Sequence, residues 1–242
     1  MSFRWRASSS PRAVVLALAA LWLAGTLRVL FLWAHDPLYA YANSYDQTRY
    51  TTCFHFYPDR PADVPPQQNS PHAPYARYRF IGNDDPMCYW SSELLPQVAV
   101  VLGWKIAEAT GAGTAHSVRA LGTLKFALLL AVNIGLTLAW RRRGPRTLAL
   151  ANAMLLPLVF ADPANTLYAN TFYAEWTALV ALYATIALSV LFADRQPTRL
   201  RVVLLAVAGL MLGTSKVQHL LLPLVLGCVV LCIAWLRERL PA

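Results

Sequence analysis

The chain has 242 residues, of which 57% are hydrophobic and 14% charged, with a formal net charge of +9. That is too apolar for an ordinary soluble domain and leaves room for several membrane crossings beside one extramembrane subdomain. The positive excess does not mark a nucleic-acid binder, because the arginines stand in short clusters beside apolar runs, as topology signals do, and no basic stripe with interleaved aromatics occurs.

The first apolar run, 13–34, follows Arg4, Arg6 and Arg12. Its length exceeds the roughly 7–15 residues of a signal-peptide core, so it reads as a retained anchor. A bilayer crossing needs about 20 apolar residues. The candidate spans are 13–34, 119–140, 145–161, 171–193, 199–214 and 219–236. A further apolar run, 94–109, is short and carries Lys105 and Glu108. Arginine placement decides between them. Arg141, Arg142, Arg143 and Arg146 form one cluster, Arg195, Arg199 and Arg201 another, and Arg237 with Arg239 a third. All fall on the cytoplasmic side only if 94–109 is an interfacial or re-entrant juxtamembrane helix rather than a crossing. The expectation is therefore an all-α integral membrane protein of the cell's inner or plasma membrane. It has about six spans in a single membrane domain over 1–242, both termini cytoplasmic, and one large outer loop subdomain, 35–118.

That loop concentrates the polar residues, including Asp36, Asp46, Asp59, Asp63, Asp84 and Asp85. Its proline-rich piece, 57–74, cannot be regular helix or a central strand. Cys53 and Cys88 both lie in the loop, and in an oxidising compartment a bridge between them would close about 35 residues, worth roughly 3–4 kcal/mol. Cys228 and Cys232, i and i+4 on the last helix, read as small packing residues.

Three groups of residues can carry chemistry. In Tyr45-Asp46-Gln47-Thr48-Arg49-Tyr50 a helical turn would put Asp46 and Arg49 on one face. An acid and a guanidinium there can hold a phosphate group or act as a base, or simply form a local ion pair. The turn 161–170 carries Asp162, and Glu175 follows about one turn into the next span, where an acid is either functional or a hydrated interfacial carboxylate. Lys216, in Gly213-Thr214-Ser215-Lys216-Val217-Gln218-His219, is a lone cation facing outward, suited to a lipid phosphate or to snorkelling. Arg28 and Lys125 lie inside apolar runs, each able to pair with an acid in the bundle. Asn83-Asp84-Asp85-Pro86 reads as turn chemistry. The five histidines show no zinc spacing, and phosphate-binding glycine loops, nucleophile elbows and HExxH are absent.

With its three outer turns laid out, the chain resembles the N-terminal membrane half of a GT-C-type glycosyltransferase. That family carries an acid soon after its first span, often in a motif like Asp-Glu-x-Arg-Tyr. This chain matches at Asp46, Arg49 and Tyr50 and departs at Gln47. The resemblance implies transfer of a sugar from a polyprenyl-phosphate donor to a glycan, lipid or protein acceptor on the outer face. Asp46 would be the base or metal-proximal acid and Glu175 or Asp162 its helper. Arg49, Tyr50, Lys216 and Gln218 would stand around the lipid phosphate. Some members use a divalent metal such as Mg or Mn, and others none. Two further readings compete: a non-catalytic membrane partner in envelope glycan assembly, favoured by the short length and Gln47, and a transporter or flippase. The last is disfavoured because most charges sit at span ends rather than mid-membrane.

Overall fold

The computed structural model describes residues 10–41, 45–59, 75–81, 88–143, 146–192 and 198–239. The proline-rich excursion from residue 60 to 74 and the pair Asp84 and Asp85 lie outside the described residues. All six apolar runs are helical. They are α1 (Pro11–Ala34), α4 (Arg119–Arg143), α5 (Arg146–Leu155), α7 (Glu175–Phe192), α8 (Arg199–Ser215) and α9 (Leu222–Arg239). Between them stand α2 (Tyr45–Thr51), α3 (Leu94–Ala109) and the one-turn α6 (Pro163–Thr166). α5 runs on into a π-helical turn, Leu156–Phe160, that contains Pro157. Among the described residues three helices are long and apolar enough to cross a membrane: Pro11–Ala34, Arg119–Arg142 and Glu175–Phe192. α5 and α8 are shorter than these three. α8 has 17 residues, about 25 Å at 1.5 Å per residue, against a hydrocarbon core of about 30 Å.

The helices are joined by features a membrane favours, small residues at contacts and buried polar groups that satisfy one another. Asn133 of α4 donates to the Asn152 carbonyl of α5 at 2.9 Å and to the Tyr183 hydroxyl of α7 at 3.1 Å. Trp22 of α1 donates to Asn133 Oδ1 at 3.0 Å. α1 meets the π-helical turn at Gly25, where an added Cβ would stand 2.8 Å from Leu156 Cγ and 3.2 Å from the Pro157 nitrogen. Leu156 is fully buried and Pro157 N is backbone, so neither can give way. Gly25→Val is therefore expected to cost about 1–3 kcal/mol through overpacking. Gly103→Ala, whose Cβ would meet nothing within 4 Å on α3, is expected to stabilise by up to about 1 kcal/mol. Thermal unfolding of both variants in detergent checks the contrast.

The long α1–α4 connection is not all-α, a correction to the expected architecture. β1 (Phe56–Pro58), β2 (Arg77–Phe80) and β3 (His116–Ser117) form an antiparallel sheet with Phe56 opposite Phe80 and Tyr78 opposite His116. The period-two pattern Arg77-Tyr78-Arg79-Phe80 explains it: Tyr78 is buried while Arg77 and Arg79 are exposed. The sheet packs through Phe56 and Tyr78 onto Trp104 of α3 and onto Phe172, whose ring lies 4.9 Å from Phe56 and 4.7 Å from Tyr78. Phe172 belongs to the turn ahead of α7, so the sheet braces the segment that leads into Glu175.

Candidate functional site

α2 is too short to be stable alone, and its side chains show what holds it. Gln47 is buried and its Oε1 accepts the Phe172 N–H at 3.0 Å. Tyr50 is buried against Leu94 and Ala174. The Arg49 carbonyl accepts the Tyr89 N–H at 3.0 Å, and its guanidinium lies 5.1 Å from the centre of the Tyr89 ring. A Cys53–Cys88 disulfide, with Cα atoms 4.7 Å apart, fastens the same two segments. Three pieces far apart in the chain, α2, residues 88–94 and residues 172–175, thus meet. α2 carries Asp46, whose side chain lies outside the described residues.

The end of α8 is tied to the same place. Ser91 Oγ donates to the Ser215 carbonyl at 2.8 Å, Ser92 Oγ to the Met211 carbonyl at 2.7 Å, and the Ser92 N–H to the Thr214 carbonyl at 3.2 Å. Lys216, the next residue after α8, forms an ion pair with Glu175. Both side chains are about one-third exposed, at 27% and 32%. The second carboxylate oxygen, Glu175 Oε2, is buried with no hydrogen-bond partner among the described residues. Glu175 also corrects the expectation that it lies one turn inside a span starting at 171. Thr171 Oγ1 accepts the Tyr173 N–H, and Phe172 N is committed to Gln47, so 171–174 is a turn and Glu175 is the first residue of α7. A carboxylate at a helix N-terminus is favourably placed against the helix dipole.

Beside this pair lies a second, fully buried one. Glu93, just ahead of α3, is 0% exposed and its Oε1 stands 2.5 Å from Lys125 Nζ. Glu93 also accepts from Thr177 Oγ1 at 2.6 Å and from Gln97 Nε2 at 3.3 Å. Lys125 donates further to the Thr171 carbonyl at 2.9 Å. Burial pushes the Glu93 carboxyl above the ordinary carboxylate range, and the Lys125 charge with the surrounding donors opposes that shift. The site therefore holds two acid–lysine pairs, Glu93 with Lys125 and Glu175 with Lys216, joined through α7, whose Thr177 donates to Glu93 two residues on from Glu175. Sequence reasoning left Lys125 without an assigned partner and did not single out Glu93. The available signal was an acid directly before an apolar helix in Ser91-Ser92-Glu93-Leu94-Leu95.

The remaining candidates are placed differently. Asp162 caps α6, its Oδ1 accepting the Ala164 N–H at 2.9 Å, and its Oδ2 stands 4.0 Å from Arg28. Its carboxylate is thus engaged in holding a turn. The Tyr50 ring is packing, and Gln218 is exposed in the turn Val217–His219. Among the described residues no three His, Cys, Asp or Glu side chains group to hold a metal ion.

A family model described as the YfdI N-terminal transmembrane domain matches residues 15–240, nearly the whole chain. No curated protein matches, and no solved structure does.

Proposed function

We propose, for a chain that belongs to the YfdI N-terminal transmembrane domain family and so is a membrane protein, that the Glu175–Lys216 region is a glycosyl-transfer site. It moves a sugar from a polyprenyl-phosphate-linked donor to an acceptor on the outer face of the inner or plasma membrane. The observation that supports this most is convergence. Helix α2, which carries Asp46 and Arg49, docks on the residues just before Glu175, and Glu175 pairs with Lys216. In this reading Arg49 and Lys216 hold the donor phosphate by charge-assisted bonds. Asp46 takes the acceptor hydroxyl proton, with Glu175 as its helper. The acceptor oxygen forms its bond to the anomeric carbon as the bond from that carbon to the phosphate oxygen breaks. The electron pair leaves with the phosphate, whose added negative charge Lys216 and Arg49 offset.

Gln47 favours a second reading, a non-catalytic partner in envelope glycan assembly. Where the resembled motif has a second acid, this chain has an amide whose oxygen is taken up by Phe172 N–H. Envelope glycan composition separates the two. Cells carrying Asp46→Ala, Glu175→Ala or a deletion are compared with wild type, with protein level measured alongside. Loss of one sugar in all three, with both point variants at normal protein level, is the expected result. A change in the deletion alone would remove the catalytic reading and leave the partner role.

A further inference from the structure

The buried Glu93–Lys125 pair has no part in the transfer chemistry above, yet a buried ion pair is a poor way to gain stability. Its position suggests another use. Lys125 is fixed: it is 2% exposed and held by Glu93 Oε1 at 2.5 Å and the Thr171 carbonyl at 2.9 Å. Lys216 is its opposite. It sits on extended backbone after α8, is 27% exposed in its side chain, and has Glu175 as the partner of its ammonium among the described residues. Glu175 lies between Thr171, whose carbonyl accepts from Lys125, and Thr177, which donates to Glu93; it pairs with Lys216, and its second oxygen is buried with no hydrogen-bond partner among the described residues.

We propose that Lys125, held by Glu93, is a positioning residue that supplies a fixed positive charge beside Glu175 when the phosphate of a lipid carrier draws Lys216 away. The inference rests on the glycosyl-transfer reading and adds to it a competition. Lys216 is latched to Glu175. An arriving phosphate can recruit Lys216 only by breaking that pair and lying near the carboxylate. A fixed Lys125 charge lowers both costs, because Glu175 retains a counter-charge and its field on the phosphate is partly cancelled. Glu93 is needed in turn because a buried ammonium with no counter-charge gives up its proton. The four charges sum to zero with the latch closed, and the half-buried pair, unlike the fully buried one, has room to part.

The test is binding of undecaprenyl phosphate to the full-length protein in lipid nanodiscs. Four forms are compared: wild type, Glu175→Gln, the double variant Glu93→Gln with Lys125→Met, and the triple combination. The double variant is used because replacing a buried pair whole is tolerated far better than breaking it. Glu175→Gln is expected to bind the carrier about tenfold more tightly, since Lys216 is then unlatched, and the double variant several-fold more weakly. In the Glu175→Gln background the double substitution should change nothing further, a non-additivity that a purely structural role would not produce. Should the double variant fail to fold, Thr177→Val, which strips one donor from Glu93, is expected to shift binding in the same direction and to lose its effect in the same background. Unchanged or weaker binding by Glu175→Gln, or an effect of the pair that persists without Glu175, would overturn the inference and leave the glycosyl-transfer reading standing. Absence of carrier binding by every form would overturn both. Inorganic phosphate serves as competitor: weak displacement supports a lipid-borne phosphate, and displacement at equal concentration would overturn that assignment.

Discussion

Lys125→Met alone is expected to destabilise the protein by about 3–5 kcal/mol, more than the glycine substitution on α1. The substitution leaves Glu93 fully buried with its counter-charge gone. Two donors remain, Thr177 at 2.6 Å and Gln97 at 3.3 Å, and they do not replace an ammonium at 2.5 Å. The Thr171 carbonyl loses its donor in the same step, which loosens the turn from which Phe172 reaches the sheet and Gln47. Glu93→Ala is expected to cost a similar amount, while Glu93→Gln with Lys125→Met costs clearly less than either single change. Thermal unfolding of the three proteins in one detergent checks the ordering. A double variant as unstable as the sum of the singles would show that the two groups do not act as a pair.

Glu175→Gln is expected to behave in the reverse way. Its pair with Lys216 is about one-third exposed on both sides, and ion pairs of that kind contribute about 0–1 kcal/mol. The fold should therefore hardly notice the change. Transfer should fall steeply, by about 10²–10⁴-fold if Glu175 shares proton handling with Asp46, and Asp46→Asn should match it. Transfer from a radiolabelled polyprenyl-phosphate sugar in membranes, normalised to protein amount, reads this directly. Variants retaining most of the wild-type rate would remove both carboxylates from the chemistry. Together, Lys125→Met and Glu175→Gln separate a charge that holds the site from a charge that acts in it.

Much of this was legible in the residues, and the failures have physical causes. All six apolar runs are helices because segments so rich in Leu, Ala and Val leave the backbone no better way to satisfy itself. Helix length was harder to read, since α5 passes into a π-helical turn at Pro157 and α7 starts four residues later than its apolar run. Glu175 could be singled out as a lone acid about one turn into an apolar run, and Lys216 as a lone outward cation after one. Their pairing could not, because it depends on Ser91 and Ser92 fastening residues 88–94 to the end of α8. Glu93 was missed for the same reason: it looks like a solvated loop acid until α4 and α7 close over it. Asp162 is placed differently: Asp before Pro at a helix start is ordinary capping, and its Oδ1 accepts the Ala164 N–H while Oδ2 stands 4.0 Å from Arg28.

The most direct measurement is photo-crosslinking with a polyprenyl-phosphate analogue that carries a diazirine close to the phosphate, followed by mapping of the labelled peptides. Labelling is expected within residues 45–54, 88–94, 172–177 and 214–219, reduced by unlabelled polyprenyl phosphate and stronger in Glu175→Gln. Labelling confined to the exposed apolar faces of α1, α8 and α9, and insensitive to that competitor, would contradict the glycosyl-transfer reading.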